Sequence, residues 1–392
     1  MREGWITKPL GQLCRIEIGG TPRRSNSKFW DEKRTTDNVW VSIADMPKTL
    51  HARISTSAEH LSDEGAKRVK LVKAGTLLAS FKLTLGRLAY ADIDLRTNEA
   101  IAALTVLDDS LLDQKYLYWF LTFFDWEKAA EGDVKIKGKT LNKAKLKQLP
   151  ILLPSVSQQQ IIVAILDEAF AGLAAATANA ERNLKNAREL FESYLSLVFA
   201  KKRDGWIERT IGECIKVSSG DFLPQKKMKP GSIDVYGGNG VVGQHNEANL
   251  HGENVIIGRV GAKCGNVRAV AGDIWLTDNA LYVSSYLHPF DRRFLAYLLS
   301  LKDLRSTANQ AAQPVISHTT IKNVMLSFPT SLHEQQKIVL QLDEIESEAE
   351  RLADMYRRKM ATIDDLEQCI LQKAFSGQLT SPPSQAIRDA AE

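Results

Sequence analysis

Cysteine is scarce and dispersed: Cys14, Cys214, Cys264 and Cys369 are the only four in 392 residues. None stands in a Cys-x-x-Cys pair and no histidine pair has a zinc-type spacing, which excludes a disulfide scaffold, a thiol redox motif and a zinc finger. Four buried free thiols are expected instead. No apolar run approaches the roughly 18 residues that cross a bilayer, and Met1-Arg2-Glu3-Gly4-Trp5 lacks the apolar core of a signal peptide. The expectation is a cytoplasmic chain without a membrane partner. Catalytic signatures are missing as well. There is no Gly-x-Ser-x-Gly elbow, no His-Glu-x-x-His and no Asn/Asp-Pro-Pro-aromatic tetrapeptide of the amino-methyltransferase kind. Gly238-Asn-Gly240-Val-Val-Gly243 matches the dinucleotide fingerprint in letters only, because the Gln244–Asn249 stretch opens no amphipathic helix. It reads as a glycine-rich turn in a β-domain.

What is present is ordinary globular material, 44% hydrophobic and 25% charged, in a length that suggests two to three domains. The net charge of +4 is unevenly spread. Residues 1–154 carry 25 Lys/Arg against 19 Asp/Glu, 155–203 carry 6 against 5, 204–331 carry 13 against 11, and 332–392 carry 7 against 12, giving +6, +1, +2 and −5. Two separated basic segments permit a polyanionic partner.

The chain is written twice. Trp5-Ile6 and Leu10-Gly11 match Trp206-Ile207 and Ile211-Gly212, with Gly20 near Gly220, an offset of about 201. Further on, Asp113-Gln-Lys-Tyr-Leu117 matches Asp291-Arg-Arg-Phe-Leu295, and Leu146-Lys147 with Pro154 matches Ile321-Lys322 with Pro329. From Gln159-Gln160 and Gln335-Gln336, through Leu166-Asp167-Glu168 and Leu342-Asp343-Glu344, to Phe199 and Phe375, the offset becomes a constant 176.

These gap-free stretches read as helix. Between Gln158 and Ala200 there is no proline and only Gly172, and apolar residues recur three and four apart at Ile162, Leu166, Ala169, Leu173, Ala176, Ala180, Leu184, Ala187, Phe191, Tyr194 and Val198. The second copy gives Ile338, Leu342, Ile345, Ala349, Leu352, Met355, Ile363, Leu366 and Ile370. Two matched seams favour pairing with each other, antiparallel. The segments before them are β-rich, with runs at 38–43, 76–81, 101–106, 255–258 and 281–284, and one apolar helix candidate each, 113–124 and 291–302. The expected fold is therefore α+β. Two α/β domains, 1–154 and 204–331, are separated by two long helices, 155–203 and 332–379, in an antiparallel coiled coil with an internal pseudo-two-fold repeat, and a flexible tail follows over 380–392.

Taken together, Trp5…Leu10-Gly11, Gly19-Gly20-Thr21-Pro22, Val39-Trp40-Val41-Ser42-Ile43, the second copy's Val235-Tyr-Gly-Gly-Asn-Gly240, Ile257-Gly-Arg-Val-Gly261 and Leu276-Thr-Asp-Asn-Ala280, and a Pro, a Gln-Gln pair and a long helix closing each domain resemble the specificity (S) subunit of type I restriction–modification systems. The likeness covers about residues 1–379. The helix start usually carries Glu-Gln in that family, as in Glu334-Gln335, but the first copy has Gln158-Gln159, without obvious consequence for the fold. The second domain has Asp221-Phe222-Leu223-Pro224 in place of Thr21-Pro22.

The resemblance implies target-recognition domains that each read one half of a bipartite duplex-DNA target, with helices that set the gap. It implies no catalysis, cofactor or metal in this chain. Two modification subunits would bring S-adenosylmethionine, and restriction subunits would bring ATP and magnesium. Base readout needs Arg, Lys, Asn, Gln and Ser on loops, and phosphate contact needs dispersed Lys and Arg. The candidates are Arg23, Arg24, Ser25, Asn26 and Lys28, then Lys82, Thr84 and Arg87, with Lys135, Lys137 and Lys139 on phosphates. In the second domain they are Lys226, Lys227, Gln244, His245, Asn246, Arg259, Lys263 and Arg268. The competing reading is a coiled-coil assembly protein without DNA readout.

Overall fold

The computed structural model describes residues 4–131, 134–135, 138–200, 205–261, 263–309 and 314–380. The expected flexible tail lies almost entirely outside them. The chain divides into two compact units, Met1–Ala178 with Met360–Glu392, and Asn179–Lys359.

In the first unit, strands Cys14–Ile18, Ile101–Val106, Leu77–Ser80, Leu88–Ala91 and Arg53–Ile54 lie side by side in that order, antiparallel except for the last pair. Leu77–Ser80 is buried throughout, as the apolar run over 76–81 requires. A smaller sheet sets Val39–Val41 between Glu59–His60 and Arg96–Thr97. Helix Gln114–Phe123 starts where the Asp113 carboxylate accepts the amides of Lys115 and Tyr116 at 2.7 and 2.9 Å.

The second unit repeats the plan with different lengths. Ile215–Ser219, Ala280–Tyr286, Asn254–Gly258 and Val267–Val270 form its main sheet. Gly240–His245, Ile233–Gly237 and Ile274–Leu276 form the smaller one. Asp291 caps helix Arg292–Ser300 through the amides of Arg293 and Phe294, both at 3.0 Å. The glycine-rich stretch 237–240 is a hairpin turn with no helix after it.

Close packing explains the duplicated glycines. A Cβ on Gly11 would meet Lys147 at 3.0 Å, and one on Gly212 would meet Lys322 at 3.0 Å. The true counterpart of Gly220 is Gly19, not Gly20: a Cβ on Gly19 would stand 2.0 Å from the Thr97 carbonyl and one on Gly220 2.3 Å from that of Leu276.

The two long helices run Val156–Ala200 and Leu332–Phe375. In the first unit Ile162, Val163, Leu166 and Phe170 share a core with Leu371, Ala374 and Phe375; in the second, Leu195 and Val198 share one with Ile338, Val339 and Leu342. The beginning of each helix thus packs with the end of the other, which makes the pair antiparallel. The first seam is buried or half-buried at every expected position. The second needs correction, because Met355 and Leu366 are each 45% exposed. Ala349, Leu352 and Met355 are two steps of three apart, which turns Met355 about 120° round the helix, against about 20° for a three plus a four. The chain keeps the alternation through Ala353, Tyr356, Met360, Ile363 and Glu367, all buried or half-buried. Burial, with Asp364 nearby, raises the pKa of the Glu367 carboxyl.

Two further expectations are corrected. Cys14, Cys214 and Cys264 are buried, but Cys369 is exposed. Helix Val156–Ala200 does contain an 18-residue stretch long and apolar enough, by composition, to cross a membrane. Its small residues and paucity of charge produce that match, while Ile162, Leu166 and Phe170 face the protein core.

Candidate nucleic-acid interface

Strand register decides which loops stand together. In the first unit Ile18 pairs with Ala102 and Ser80 with Ile101, so the segments after Ile18 and Ser80 leave the sheet at one end, beside the turn that precedes Ile101. Leu141 donates its amide to the Phe81 carbonyl at 3.0 Å and Lys82 bridges Thr140, which brings the short ribbon of Val134–Lys135 and Gly138–Lys139 alongside. The second unit uses the same geometry. Ser219 pairs with Leu281 and Gly258 with Ala280, so the segments after Ser219 and Gly258 emerge together at the turn preceding Ala280.

Within the first cluster Arg23, Ser25 and Lys28 are exposed, while the Asn26 side chain accepts the Lys28 amide at 3.2 Å. Arg24 is held on three sides. Its guanidinium forms a double hydrogen bond with Glu59, of which Nη2 to Oε2 measures 3.0 Å, and it lies 4.2 and 4.8 Å from the ring centres of Trp30 and Trp40. The Glu59 bond also raises the Arg24 pKa, keeping it charged. Three N–H groups remain for a ligand at the edge of a cleft of about 370 Å³ lined by Ser25, Trp30, Arg34 and His60. Lys82 and Thr84 are half-buried. Arg87 is turned inward, its Nη1 donating to the carbonyls of Met46 at 2.9 Å and Ile43 at 3.3 Å. Side chains of Lys135 and Lys139, and all of Lys137, lie outside the described residues.

The second cluster is built differently. Lys226 and Lys227 are exposed on a single 3-10 turn, and Lys263 is exposed after Gly258. Arg259 donates to Ser219 Oγ and the Asp278 carbonyl, each at 3.2 Å, and Arg268 donates to the Asn239 carbonyl at 3.2 Å. A cleft of about 470 Å³ runs between Phe222, Gln225, Met228, Asn239, Val242 and Asp278. Phe222 is 71% exposed. Gln244 and Asn246 are exposed but belong to the far end of strand Gly240–His245, away from Arg259. His245 is 4% exposed, accepts the Lys229 amide at 3.0 Å and meets Trp275 edge-on, so its ring faces the interior.

The residues that tie each domain to its long helix were legible only as repeat landmarks. Gln159 is fully buried: its Oε1 accepts the Asp113 amide at 2.9 Å, and its Nε2 donates to the carbonyls of Leu111 and Pro154, both at 3.0 Å. Gln335 repeats this, accepting the Asp291 amide at 2.9 Å and donating to Pro289 at 3.3 Å and Pro329 at 2.9 Å. Two turns on, Asp167 accepts the Trp119 indole N–H at 2.8 Å and lies 3.5 Å from the Lys115 ammonium. Its counterpart Asp343 accepts the Tyr297 hydroxyl at 2.9 Å and the Arg293 guanidinium at 2.6 Å. The lost charge at Gln158 also has a consequence. Trp206 donates its indole N–H to Glu334 at 3.2 Å, whereas the buried Trp5 indole nitrogen has no partner.

Among the described residues no group of three or more His, Cys, Asp or Glu is placed to hold a metal ion. A family sequence model described as "Type I restriction modification DNA specificity domain" matches residues 2–185 and again 203–353. The chain is similar to the EcoprrI specificity subunit of Escherichia coli, 24% identical over 371 residues that cover 91% of this chain and 90% of that one. It is also similar to the MjaIX specificity subunit of Methanocaldococcus jannaschii, at 23% over 57% and 54% of the two chains. Among solved structures, a chain from a study of type I R-M complex assembly and conformational transition superposes with a TM-score of 0.77 at 19% identity, covering 96% of this chain and 98% of its own. The HsdS subunit of Thermoanaerobacter tengcongensis gives 0.56 at 18%, with the same coverages. The duplicated sheet ends, the paired helices and the two matched segments have one explanation: the chain belongs to the type I restriction modification DNA specificity family and is a specificity subunit with two DNA specificity domains.

Proposed function

We propose that this chain reads a bipartite duplex-DNA target, one half-site for each unit, and makes or breaks no covalent bond itself. The observation that carries the reading is the pair of loop clusters at equivalent sheet ends, alike in backbone and different in side chains. Arg24, with three free donors, suits a purine acceptor edge, while Lys28, Lys226, Lys227 and Lys263 suit phosphates. The long helices would set the unread gap and seat two modification subunits that carry S-adenosylmethionine. Restriction subunits, with ATP and magnesium, would complete a nuclease, and the work would take place in the cytoplasm.

Exchange of residues 204–331 for the corresponding domain of a relative tests this. Methylation mapping of the reconstituted complex should show one half of the target changed and the other kept, and a change in both halves would reject the assignment of one unit to one half-site. The purified chain alone should transfer no methyl group. Its affinity for duplex DNA should fall steeply between low and moderate salt, which an assembly protein would not show.

A further inference from the structure

The loop between strands Leu77–Ser80 and Leu88–Ala91 holds an unusual residue between two that the sequence singled out. Leu83 has φ +67 and is 51% exposed. Thr84 donates its amide to the Lys82 carbonyl at 2.8 Å, which closes a γ-turn around Leu83, of the positive-φ kind that a bulky side chain rarely enters. Buried Ser80 enforces it. The Ser80 hydroxyl donates to the Thr84 carbonyl at 2.6 Å and accepts the Arg87 amide at 2.9 Å, and the Gly86 amide donates to the Ser80 carbonyl at 2.9 Å.

The corresponding loop of the second unit handles positive φ differently. In the second unit the Gly265 amide donates to the Gly258 carbonyl at 2.8 Å, as Gly86 does to Ser80. Gly86 and Gly265 have φ +76 and +91. The second loop is one residue longer, seven from Gly258 to Gly265 against six from Ser80 to Gly86, and it carries Gly261, three residues after Gly258, with φ +91. The first unit therefore keeps an exposed isobutyl group at positive φ, in a loop whose duplicate meets positive φ with glycine. Strain retained without any gain in burial points to a use for the side chain. Its neighbours locate that use. The loop leaves the sheet at the end from which Arg23, Arg24 and Lys28 also project, with Lys82 adjacent.

We propose that Leu83 is a specificity-determining residue of the first unit, an apolar finger whose contact is the 5-methyl group of a thymine in the half-site that this unit reads. An isobutyl group has no donor or acceptor, and the methyl is the one apolar mark on a base edge in the major groove. The assignment rests on the DNA-reading function proposed above and names one of its contacts.

The experiment uses the full chain assembled with its modification subunit, on duplexes in which each half-site thymine is replaced in turn by deoxyuridine, which removes only that methyl. One such replacement should slow methylation about fivefold with the wild-type chain, the value of one apolar group withdrawn from contact. Leu83→Gly should lower methylation of the natural duplex by a similar factor and make the same replacement silent. Its unfolding midpoint should stay at or above the wild-type value, since glycine relieves the turn. A merely structural leucine would do the reverse. Sequence-specific methylation that Leu83→Gly leaves unchanged, or a deoxyuridine effect equal in both proteins, overturns the Leu83 assignment alone. Methylation by the wild-type complex without sequence preference overturns the DNA-reading function with it.

Discussion

Replacing Gln159 by alanine should loosen the first domain from its long helix. The buried amide group serves three backbone groups at 2.9–3.0 Å, one donor and two acceptors. A buried donor left unpaired costs about 1–3 kcal/mol, and carbonyls with a second lone pair cost less. With the small void added, the loss is about 3 kcal/mol. Urea unfolding followed by tryptophan emission measures it. For a urea dependence of about 3 kcal/mol per molar, the midpoint of the first unit should fall by about 1 M. Gln335→Ala should weaken the second unit similarly, because its bonds repeat those of Gln159. Exposed Gln160→Ala, one residue along, should change the midpoint by less than about 0.2 M. Equal effects of Gln159→Ala and Gln160→Ala would refute the reasoning.

Gln158→Glu offers the orphaned Trp5 indole the acceptor that Glu334 gives Trp206, and should stabilise by about 1 kcal/mol in the same assay. Burial lowers the His51 pKa, with Asp167 opposing, so the unfolded chain takes up a proton first as the pH falls below about 6.5. Stability of the first unit should accordingly decline from pH 7 towards pH 5.5, and His51→Asn, which tolerates φ +51, should flatten that decline. A thiol reagent at pH 8 should label Cys369 at once and spare Cys14 and Cys214, whose thiols burial pushes up to about 12 and about 11, as mass spectrometry of the native protein can show. Four residues inserted at matched points in both long helices add about 6 Å to each. Methylation mapping should then show an unread gap longer by one or two base pairs, at about 3.4 Å each, between unchanged half-sites.

Periodicity and repetition were strong in this sequence, and what they govern was legible from it. Helices Val156–Ala200 and Leu332–Phe375, the capped helices after Asp113 and Asp291, and the strands over 101–106 and 254–258 all follow from local pattern. Long-range pairing was not legible. Arg87 has the composition of a DNA contact, but whether it reaches outward depends on the Ile43 and Met46 carbonyls, some forty residues away. Gln159 marked the repeat by identity alone, since its three partners come from the chain before the helix. Leu83, between Lys82 and Thr84, is a leucine in a polar loop, which carries no signal until its φ is known.

The division of the chain has a bearing on how the protein is made. The unit Asn179–Lys359 is one continuous stretch, whereas the other needs Met1–Ala178 and also Met360 onward. On the ribosome the first 178 residues emerge early but lack Leu371, Ala374 and Phe375, so the middle of the chain can complete its fold while the beginning waits for the end. The place kept open is aromatic: Phe375 lies 5.2–5.7 Å from the rings of Tyr116, Phe120 and Phe123. Until Leu371, Ala374 and Phe375 arrive, that patch is open to the same helix from another nascent copy. Exchanged dimers should therefore be the characteristic misassembly of this protein when it is made at high concentration.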